Sequence, residues 1–308
     1  MSENSTWKEN ESGLIIRRES QLARIPDGDS SPMSEIINRS LVHIQTSSKL
    51  AAPQRRPGEE KEFEIAPGIR IVMCWIPPGE FLMGSPEDEV DRNDNERQHR
   101  VRIPKGYWLA KVPITYGKWK TLMGTNPENH NDSNDSPVLC TSWIDICGNE
   151  TRNGGFLGML NQQAPKTLRF DLPTEAQWEY ACRAGTTGPF YGDLNEIGWY
   201  RDNSDNMPHS VGRKAPNGWG LQDMLGNVFE WCSDSYYKDP DKVQADSVEF
   251  SSGSTKVIRG GSFVNLSKYC RVAARYERNG SDKFNYFIGF RLVIHLVQKP
   301  EITDLPNE

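Results

Sequence analysis

Six cysteines are the residues of this chain that could act as nucleophiles or as ligands of soft metals. They form no Cys-x-x-Cys pair and none of the spacings that hold zinc. The chain also shows no apolar N-terminal segment of the kind that a secretory signal needs, so we expect free thiols in a cytoplasmic protein. The six are Cys74, Cys140, Cys147, Cys182, Cys232 and Cys270.

The stretch from 256 to 293 is the second place where residue types indicate a function. Its end, at 289–293, alternates as a half-buried strand does. The middle mixes rigid aromatic side chains with Asn and Ser, a composition typical of a recognition surface. A tyrosine-rich strand-loop-strand packed on a domain edge is the alternative. The candidate ligand-binding residues are Phe263, Asn265, Tyr269, Tyr276, Phe284, Asn285, Tyr286 and Phe287.

Length and charge limit the class of partner. The 308 residues, 36% of them hydrophobic, suffice for one large domain or two small ones. A net charge of -6 without a long basic run argues against nucleic acid or an anionic membrane as the main partner. No run of 18 apolar residues is present, so the sequence predicts no membrane span.

Composition changes along the chain and predicts its organisation. Residues 1–60 are polar, charged and weakly periodic, so we expect a flexible N-terminal arm that either docks a partner or is an idle tail. Residues 61–295 form the predicted folded domain, and 296–308 form a C-terminal tail.

Local signals place the elements that must position these candidates. Thr115 and Ser142 can each cap a short helix. Thr174 and Gln177 stand at the spacing of a capping box, which is the strongest helix signal in the chain. Residues 186–220 are rich in Gly, Pro and Asn and are predicted to be loop. The pattern indicates a few helices, many short strands and very long loops.

Six runs in a fixed order give the chain a resemblance to a known family. It closely resembles the formylglycine-generating-enzyme, or sulfatase-modifying factor, family between about 61 and 293. The resemblance implies an α+β variant of the C-type lectin fold, with little regular secondary structure, long ordered loops and a C-terminal strand-loop-strand at the site. The runs are Phe-Leu-Met-Gly-Ser at 81–85, Leu-Pro-Thr-Glu-Ala-Gln-Trp-Glu-Tyr-Ala at 172–181, Gly-Trp-Gly-Leu at 218–221, Met-Leu-Gly-Asn-Val-Phe-Glu-Trp at 224–231, Arg-Gly-Gly-Ser-Phe at 259–263 and Gly-Phe-Arg at 289–291.

The enzymes of this family use two cysteines after the Gly-Gly-Ser run, which bind copper and oxidise a substrate cysteine. On this chain the second falls at Cys270 and the first at Asn265. An amide is a poor ligand for copper(I), so we do not expect a two-sulfur copper site. Cys270 is the catalytic candidate if the protein is an enzyme, and otherwise a small buried hydrophobe.

A sister branch of the family holds non-haem iron with three histidines, two of them in a His-x-x-x-His-x-Glu run. No two of the histidines here are four apart, so we do not expect iron. The five are His43, His99, His130, His209 and His295.

The run at 224–231 resembles the family's structural calcium site. The implied ligands are the side chains of Asp223 and Glu230 and the backbone carbonyls of Gly226 and Val228. Carboxylates and carbonyls are hard oxygen donors, which suit calcium. The alternative is that the two carboxylates only cap and hydrogen-bond the loop.

The same fold also serves, without catalysis, in variable proteins of diversity-generating retroelements. Their adenine-directed mutagenesis turns Asn codons into codons for Tyr, Phe, Ser, Asp and other residues. The middle of the 256–293 stretch is consistent with this, although Lys268, Glu277 and Lys283 would need other template codons.

Three functions therefore remain open. The first is a non-catalytic module that binds a protein or another macromolecule through residues 263–288, with or without retroelement diversification. The second is an oxidoreductase of the formylglycine-generating type, or a related non-haem metal enzyme. The third is a structural accessory domain that docks on a partner through its N-terminal arm, residues 1–60.

Overall fold

The computed structural model describes residues 7–9, 15–17, 55–127, 133–148, 154–238, 255–282 and 286–296. The chain divides into two compact units, Met1–Gln54 and Arg55–Glu308. In the first unit β1 (Trp7–Glu9) pairs antiparallel with β2 (Ile15–Arg17). Most of the arm predicted for 1–60 and the tail after Leu296 lie outside the described residues, so those boundaries stay predictions.

The second unit contains a five-stranded sheet. Its strands in spatial order are β3 (Glu60–Ala66), β4 (Ile69–Ile76), β7 (Tyr107–Ala110), β13 (Val293–Leu296) and β8 (Leu168–Asp171). β3 and β4 form a hairpin, whereas β13 comes from the far end of the chain and pairs antiparallel with both β7 and β8. Chain segments almost two hundred residues apart in sequence are thus joined in one sheet.

A four-stranded sheet carries the region of the predicted site. Its order is β11 (Arg275–Asn279), β10 (Thr255–Arg259), β9 (Phe229–Ser235) and β12 (Ile288–Gly289), with β12 parallel to β9. A separate hairpin of β5 (Gly79–Met83) and β6 (His99–Ile103) holds the acidic residues 86–98 between its strands.

The helices are short, and three of them begin where the sequence predicts. They are α1 (Tyr116–Met123), α2 (Trp143–Cys147), α3 (Gly155–Gln163), α4 (Glu175–Arg183), α5 (Leu194–Ile197) and a 3₁₀ helix (Ser267–Cys270). Thr115 caps α1, Ser142 forms a capping box on α2, and Thr174 with Gln177 forms the predicted capping box on α4. These predictions are confirmed.

Two sequence expectations are wrong in detail. The predicted loop at 186–220 contains α5. Residues 289–293 are fully buried rather than half-buried. The cause is Arg291, a polar residue that alternation assigns to solvent but that lies in the interior on a carboxylate.

Two buried clusters of apolar side chains form the core. One gathers around Trp108, Trp143, Phe156, Trp231 and Phe290, and the other around Trp178, Leu221 and the cysteines 182, 232 and 270. No helix in the described part of the chain is long and apolar enough to cross a membrane.

Candidate functional site

Buried arginine–carboxylate pairs connect α4 to the sheet that carries the site. Glu175 is fully buried and accepts from Arg275 Nε at 2.6 Å and Nη2 at 2.7 Å, and Arg259 Nε lies 3.5 Å away. Burial alone would raise the pKa of Glu175, but the charge and hydrogen bonds of Arg275, helped by Arg259, lower it. Glu179, one turn later, pairs with Arg183 and Arg259.

Glu230 on β9 is a further buried carboxylate that pairs with an arginine. Arg291 donates to Oε2 from Nε and to Oε1 from Nη2, both at 2.7 Å, and Trp178 Nε1 donates to Oε2 at 2.7 Å. Both carboxylate oxygens are therefore occupied by charge-assisted bonds. The family-like runs at 172–181, 224–231, 259–263 and 289–291 thus meet in one interior.

Asn265 and Cys270 flank the 3₁₀ helix but lie in different surroundings. Asn265 is half-buried, and its side-chain oxygen accepts a hydrogen bond from the Ser262 hydroxyl. Its backbone N–H donates to the Ser262 carbonyl at 3.0 Å, and its carbonyl accepts from Arg201 N at 2.9 Å. The amide thus closes a local turn.

Cys270 is fully buried, with its sulfur packed against the Gly-Gly run. A Cβ on Gly261, where φ is +75°, would come within 2.5 Å of the Cys270 sulfur. Burial raises the pKa of the Cys270 thiol to about 12, although backbone hydrogen bonds from Ser262 and Gly226 act against it. A protonated, inaccessible thiol is a poor nucleophile and a poor metal ligand.

Aromatic rings from two strands, the 3₁₀ helix and the residue before β12 form a continuous series, here called the aromatic row: Tyr269, Tyr276, Phe229 and Phe287. Successive ring centroids are 5.8, 5.4 and 6.3 Å apart. Phe229 is buried, and the other three are half-buried. Tyr286, which precedes Phe287 in the sequence, is 49% exposed.

The remaining predicted ligand-binding residues do not all join the row. Phe263 is in the core, 7% exposed, with its backbone held by Asn227 and Ser204. Phe284 and Asn285 lie outside the described residues.

The acidic loop, residues 86–98, is a part of the site that sequence reasoning missed. Arg271, which follows Cys270, donates to Glu89 Oε1 at 2.6 Å and to both oxygens of Glu96 at 2.8 and 2.7 Å. Its Nη2 also donates to the Asp91 carbonyl at 2.6 Å. These contacts span about 180 residues of sequence, so no local signal could have found them.

The loop also reaches the aromatic row directly. Burial raises the pKa of Tyr276 to about 12, the charge of Glu96 adds to this, and a hydrogen bond with the Asn93 side chain acts in the opposite direction. Arg275 donates to the Asn95 carbonyl at 2.8 Å. The row and the loop therefore form one surface.

The four residues predicted to hold calcium lie on the segment 223–230, and their oxygen atoms differ in how many hydrogen bonds they already accept. Asp223 is 1% exposed and has a backbone φ of +54°. Its Oδ2 accepts from Gly212 N at 2.6 Å, whereas its Oδ1 is buried without a hydrogen-bond partner. That free oxygen fits a hard cation, while Glu230 would have to exchange one of its present partners. Calcium stays a prediction.

The described histidines are spread over separate elements. His99 is on β6, where Nδ1 lies 3.0 Å from the Arg97 carbonyl. His209 stacks on Trp199 with ring centroids 3.8 Å apart. His295 is on β13, and His43 and His130 lie outside the described residues. Within the described residues, no three His, Cys, Asp or Glu side chains lie close enough together to hold a metal ion.

The sequence between 67 and 296 matches the family model of the sulfatase-modifying factor enzyme 1-like domain. This chain belongs to that family. It is 38% identical over 302 residues to a formylglycine-generating enzyme of Streptomyces coelicolor, covering 79% of this chain and 95% of that one. It is 31% identical over 214 residues to that of Thermomonospora curvata, covering 61% and 64%. A serine/threonine-protein kinase of Chlamydia caviae is 38% identical over 266 residues, covering 76% of this chain and 40% of the kinase.

Solved structures agree with this assignment. The PvdO protein of Pseudomonas aeruginosa superposes with a TM-score of 0.69 at 24% identity, covering 79% of this chain and all of that one. The Treponema denticola variable protein 1 superposes with a TM-score of 0.62 at 26% identity, covering 76% and 98%. The domain has the formylglycine-generating-enzyme-like variant of the C-type lectin fold, as the sequence predicts.

Proposed function

We propose that this family member is a non-catalytic module that binds a protein through the surface formed by residues 263–288. The observation that carries the proposal is the contrast between Cys270 and the aromatic row. The Cys270 thiol is fully buried, and burial raises its pKa to about 12, whereas three of the four rings in the aromatic row are only half-buried. Rigid aromatic rings supply contact area at low entropic cost, as recognition surfaces require.

The donor set at 265 and 270 does not fit the copper chemistry of the formylglycine-generating enzymes. A linear copper(I) site needs two thiolates, whereas here one position is an amide that accepts a hydrogen bond from Ser262 and the other is a buried thiol. No oxidation step follows from these residues. The match to the Treponema variable protein supports a binding role, while retroelement diversification stays a hypothesis that the neighbouring genome can test.

A photocrosslinking experiment tests the binding role. A benzophenone-bearing phenylalanine replaces Tyr286 in one variant and Leu82 in a control, since both native side chains are large, apolar and about half-exposed. We expect a covalent adduct with one protein from position 286 only. Equal adducts at both positions, or none at 286, would count against the proposal.

A second assay separates binding from catalysis. The protein is incubated with copper(I), oxygen and a synthetic peptide that contains one cysteine, and the peptide mass is followed. We expect the cysteine to stay intact. Conversion of this cysteine to an aldehyde would establish the oxidoreductase alternative instead.

The accessory-domain alternative is favoured by one comparison. The domain aligns to only 40% of the Chlamydia kinase, so a domain of this type can stand within a larger protein. Deleting residues 1–54 distinguishes the two functions. Loss of the adduct at position 286 would favour docking by the arm, and its retention favours recognition by the aromatic row.

We also propose a structural calcium ion at Asp223, whose unpartnered Oδ1 is the donor that supports it. A ligand that binds only the folded state at a hundred times its Kd adds about 2.7 kcal/mol to stability. Millimolar calcium is therefore expected to raise the Tm relative to EDTA, and Asp223→Asn is expected to remove most of this rise. Magnesium is the matched control, because it prefers smaller octahedral sites.

A further inference from the structure

The acidic loop carries more acidic than basic side chains. Between 86 and 98 there are six acidic residues and two arginines. Arg271 neutralises part of this charge, since its side-chain hydrogen bonds in the described part of the chain go to Glu89, Glu96 and the carbonyls of Asp91 and Lys268. Its guanidinium therefore has little capacity left for a bound anion.

Besides Glu87 and Asp94, the exposed acids of the loop are Asp88 and Asp91. Both side chains are exposed, and neither makes an ion pair within the described part of the chain. They line a cavity of about 440 Å³ that opens between the acidic loop and the 3₁₀ helix. The carboxylates are thus placed at the mouth of a recess and not on a flat surface.

The other walls of this cavity are largely apolar. Val90 is 79% exposed, and Pro189 and Phe190 stand on the opposite side. Lys268 also lines the cavity and offsets part of the charge of the two aspartates, and its Nζ lies 5.2 Å from the ring centroid of Tyr269, the first member of the aromatic row. A guest with an apolar stem and a positive end matches these walls, because such side chains bury their methylenes and keep their charge at a polar rim.

We propose that the partner of this surface presents a lysine or arginine that enters this cavity while its neighbouring residues pack on the aromatic row. The inference rests on the proposed binding function and names the partner's chemistry: a basic, partly apolar protein segment. Opposite charge at the rim would speed encounter and set the register of the segment along the row. The acidic loop is held rigidly for this task by Arg271 and by Arg275 on Asn95.

Binding of a fluorescein-labelled hexalysine peptide, measured by anisotropy at low salt, tests this. In the double variant Asp88→Asn/Asp91→Asn both residues keep their size, and Asn tolerates the φ of +63° at position 91. We expect about fivefold weaker binding, about 1 kcal/mol in all, from the loss of two exposed charge pairs. The matched control, Glu62→Gln/Glu64→Gln on β3, removes the same charge elsewhere and is expected to bind as the wild type does.

Two results would overturn the inference. One is an equal loss of hexalysine affinity in both double variants, which would mean that the peptide is attracted by the protein's overall negative charge. The other is a wild-type protein that binds hexalysine no better than labelled hexaglutamate. A failure of this inference differs from a failure of the proposed function. If position 286 forms its adduct but the Asp88/Asp91 variant binds hexalysine as the wild type does, the binding role stands and the basic partner is discarded.

Discussion

Two adjacent regions of this molecule use polar residues in opposite ways. The motif core, defined by Glu175, Glu179, Glu230, Arg259 and Arg291, buries its charges completely and pairs them with one another. The aromatic row with the acidic loop leaves rings and carboxylates at the surface. The residues by which the family is recognised therefore maintain the fold, whereas the surface that we propose for a ligand contains few of them.

This difference is what would let function change while the family frame is kept, as we propose. A buried ion pair tolerates little change, since removing one partner leaves an uncompensated charge in the interior. The half-buried residues of the row carry no such buried charge, so the same frame can present different side chains there. Four predictions test how far this division holds.

The largest effect is expected in the motif core. Arg291→Met leaves Glu230 buried without its cation and removes hydrogen bonds to the Ala110, Gln222 and Asp223 carbonyls. We expect the free energy of unfolding to fall by about 3–5 kcal/mol. Denaturant unfolding followed by tryptophan fluorescence measures it.

Arg100→Met is the control, because that arginine is 76% exposed in its side chain and only 3.4 Å from a similarly exposed Glu80. Its effect is expected within about 0.5 kcal/mol. If Arg291→Met cost no more than the control, the buried pairs would not maintain the fold.

The aromatic row contains a core residue, Phe229, and a surface residue, Tyr286, precedes its member Phe287 in sequence, so the pair tests where the core ends. Phe229 is 5% exposed and Tyr286 is 49% exposed. Phe229→Ala is expected to lower the free energy of unfolding by about 3–4 kcal/mol, because it opens a cavity in the core. Tyr286→Ala is expected to cost less than about 1 kcal/mol and to act on binding instead. Similar losses from both would mean that the row is simply part of the core.

The sequence predicted the helices, the family and the fold because these depend on local or ordered signals. Thr115, Ser142 and Thr174 cap helices within three or four residues of chain. The site is different: Arg271 contacts Glu96 across 175 residues, and nothing near either residue indicates the other. β9 was missed for a related reason, since its polar residues are buried on partners that only the tertiary structure supplies.

A pH effect of intermediate size is expected from Asp234 in the interior. Burial, with the nearby Glu175 charge, raises the pKa of Asp234 from the ordinary 3.8 to about 7. The folded protein then holds a proton that the unfolded chain has released, so this group's stabilisation is lost as pH rises from about 4 to about 7. The lost stability is of the order of 3 kcal/mol.

Asp234→Asn should remove that loss while its side-chain oxygen still accepts from Glu175 N, which is 2.7 Å away in the native protein. Unfolding free energies of variant and wild type, measured at pH 5, 6 and 7, should therefore diverge as pH rises. A constant difference across this range would show that Asp234 does not titrate in it.

Cys270 lies where the two regions meet and gives the smallest expected effect. Its sulfur is packed on Gly261, and the preceding Tyr269 begins the aromatic row. Cys270→Ala removes only a small buried group and is expected to lower the free energy of unfolding by about 1 kcal/mol. Hexalysine binding should stay unchanged, and a thiol reagent should label Cys270 only after unfolding, because the native thiol is buried and its pKa is about 12. Rapid labelling of Cys270 in the native protein would place the sulfur at the surface and bring redox chemistry back into consideration.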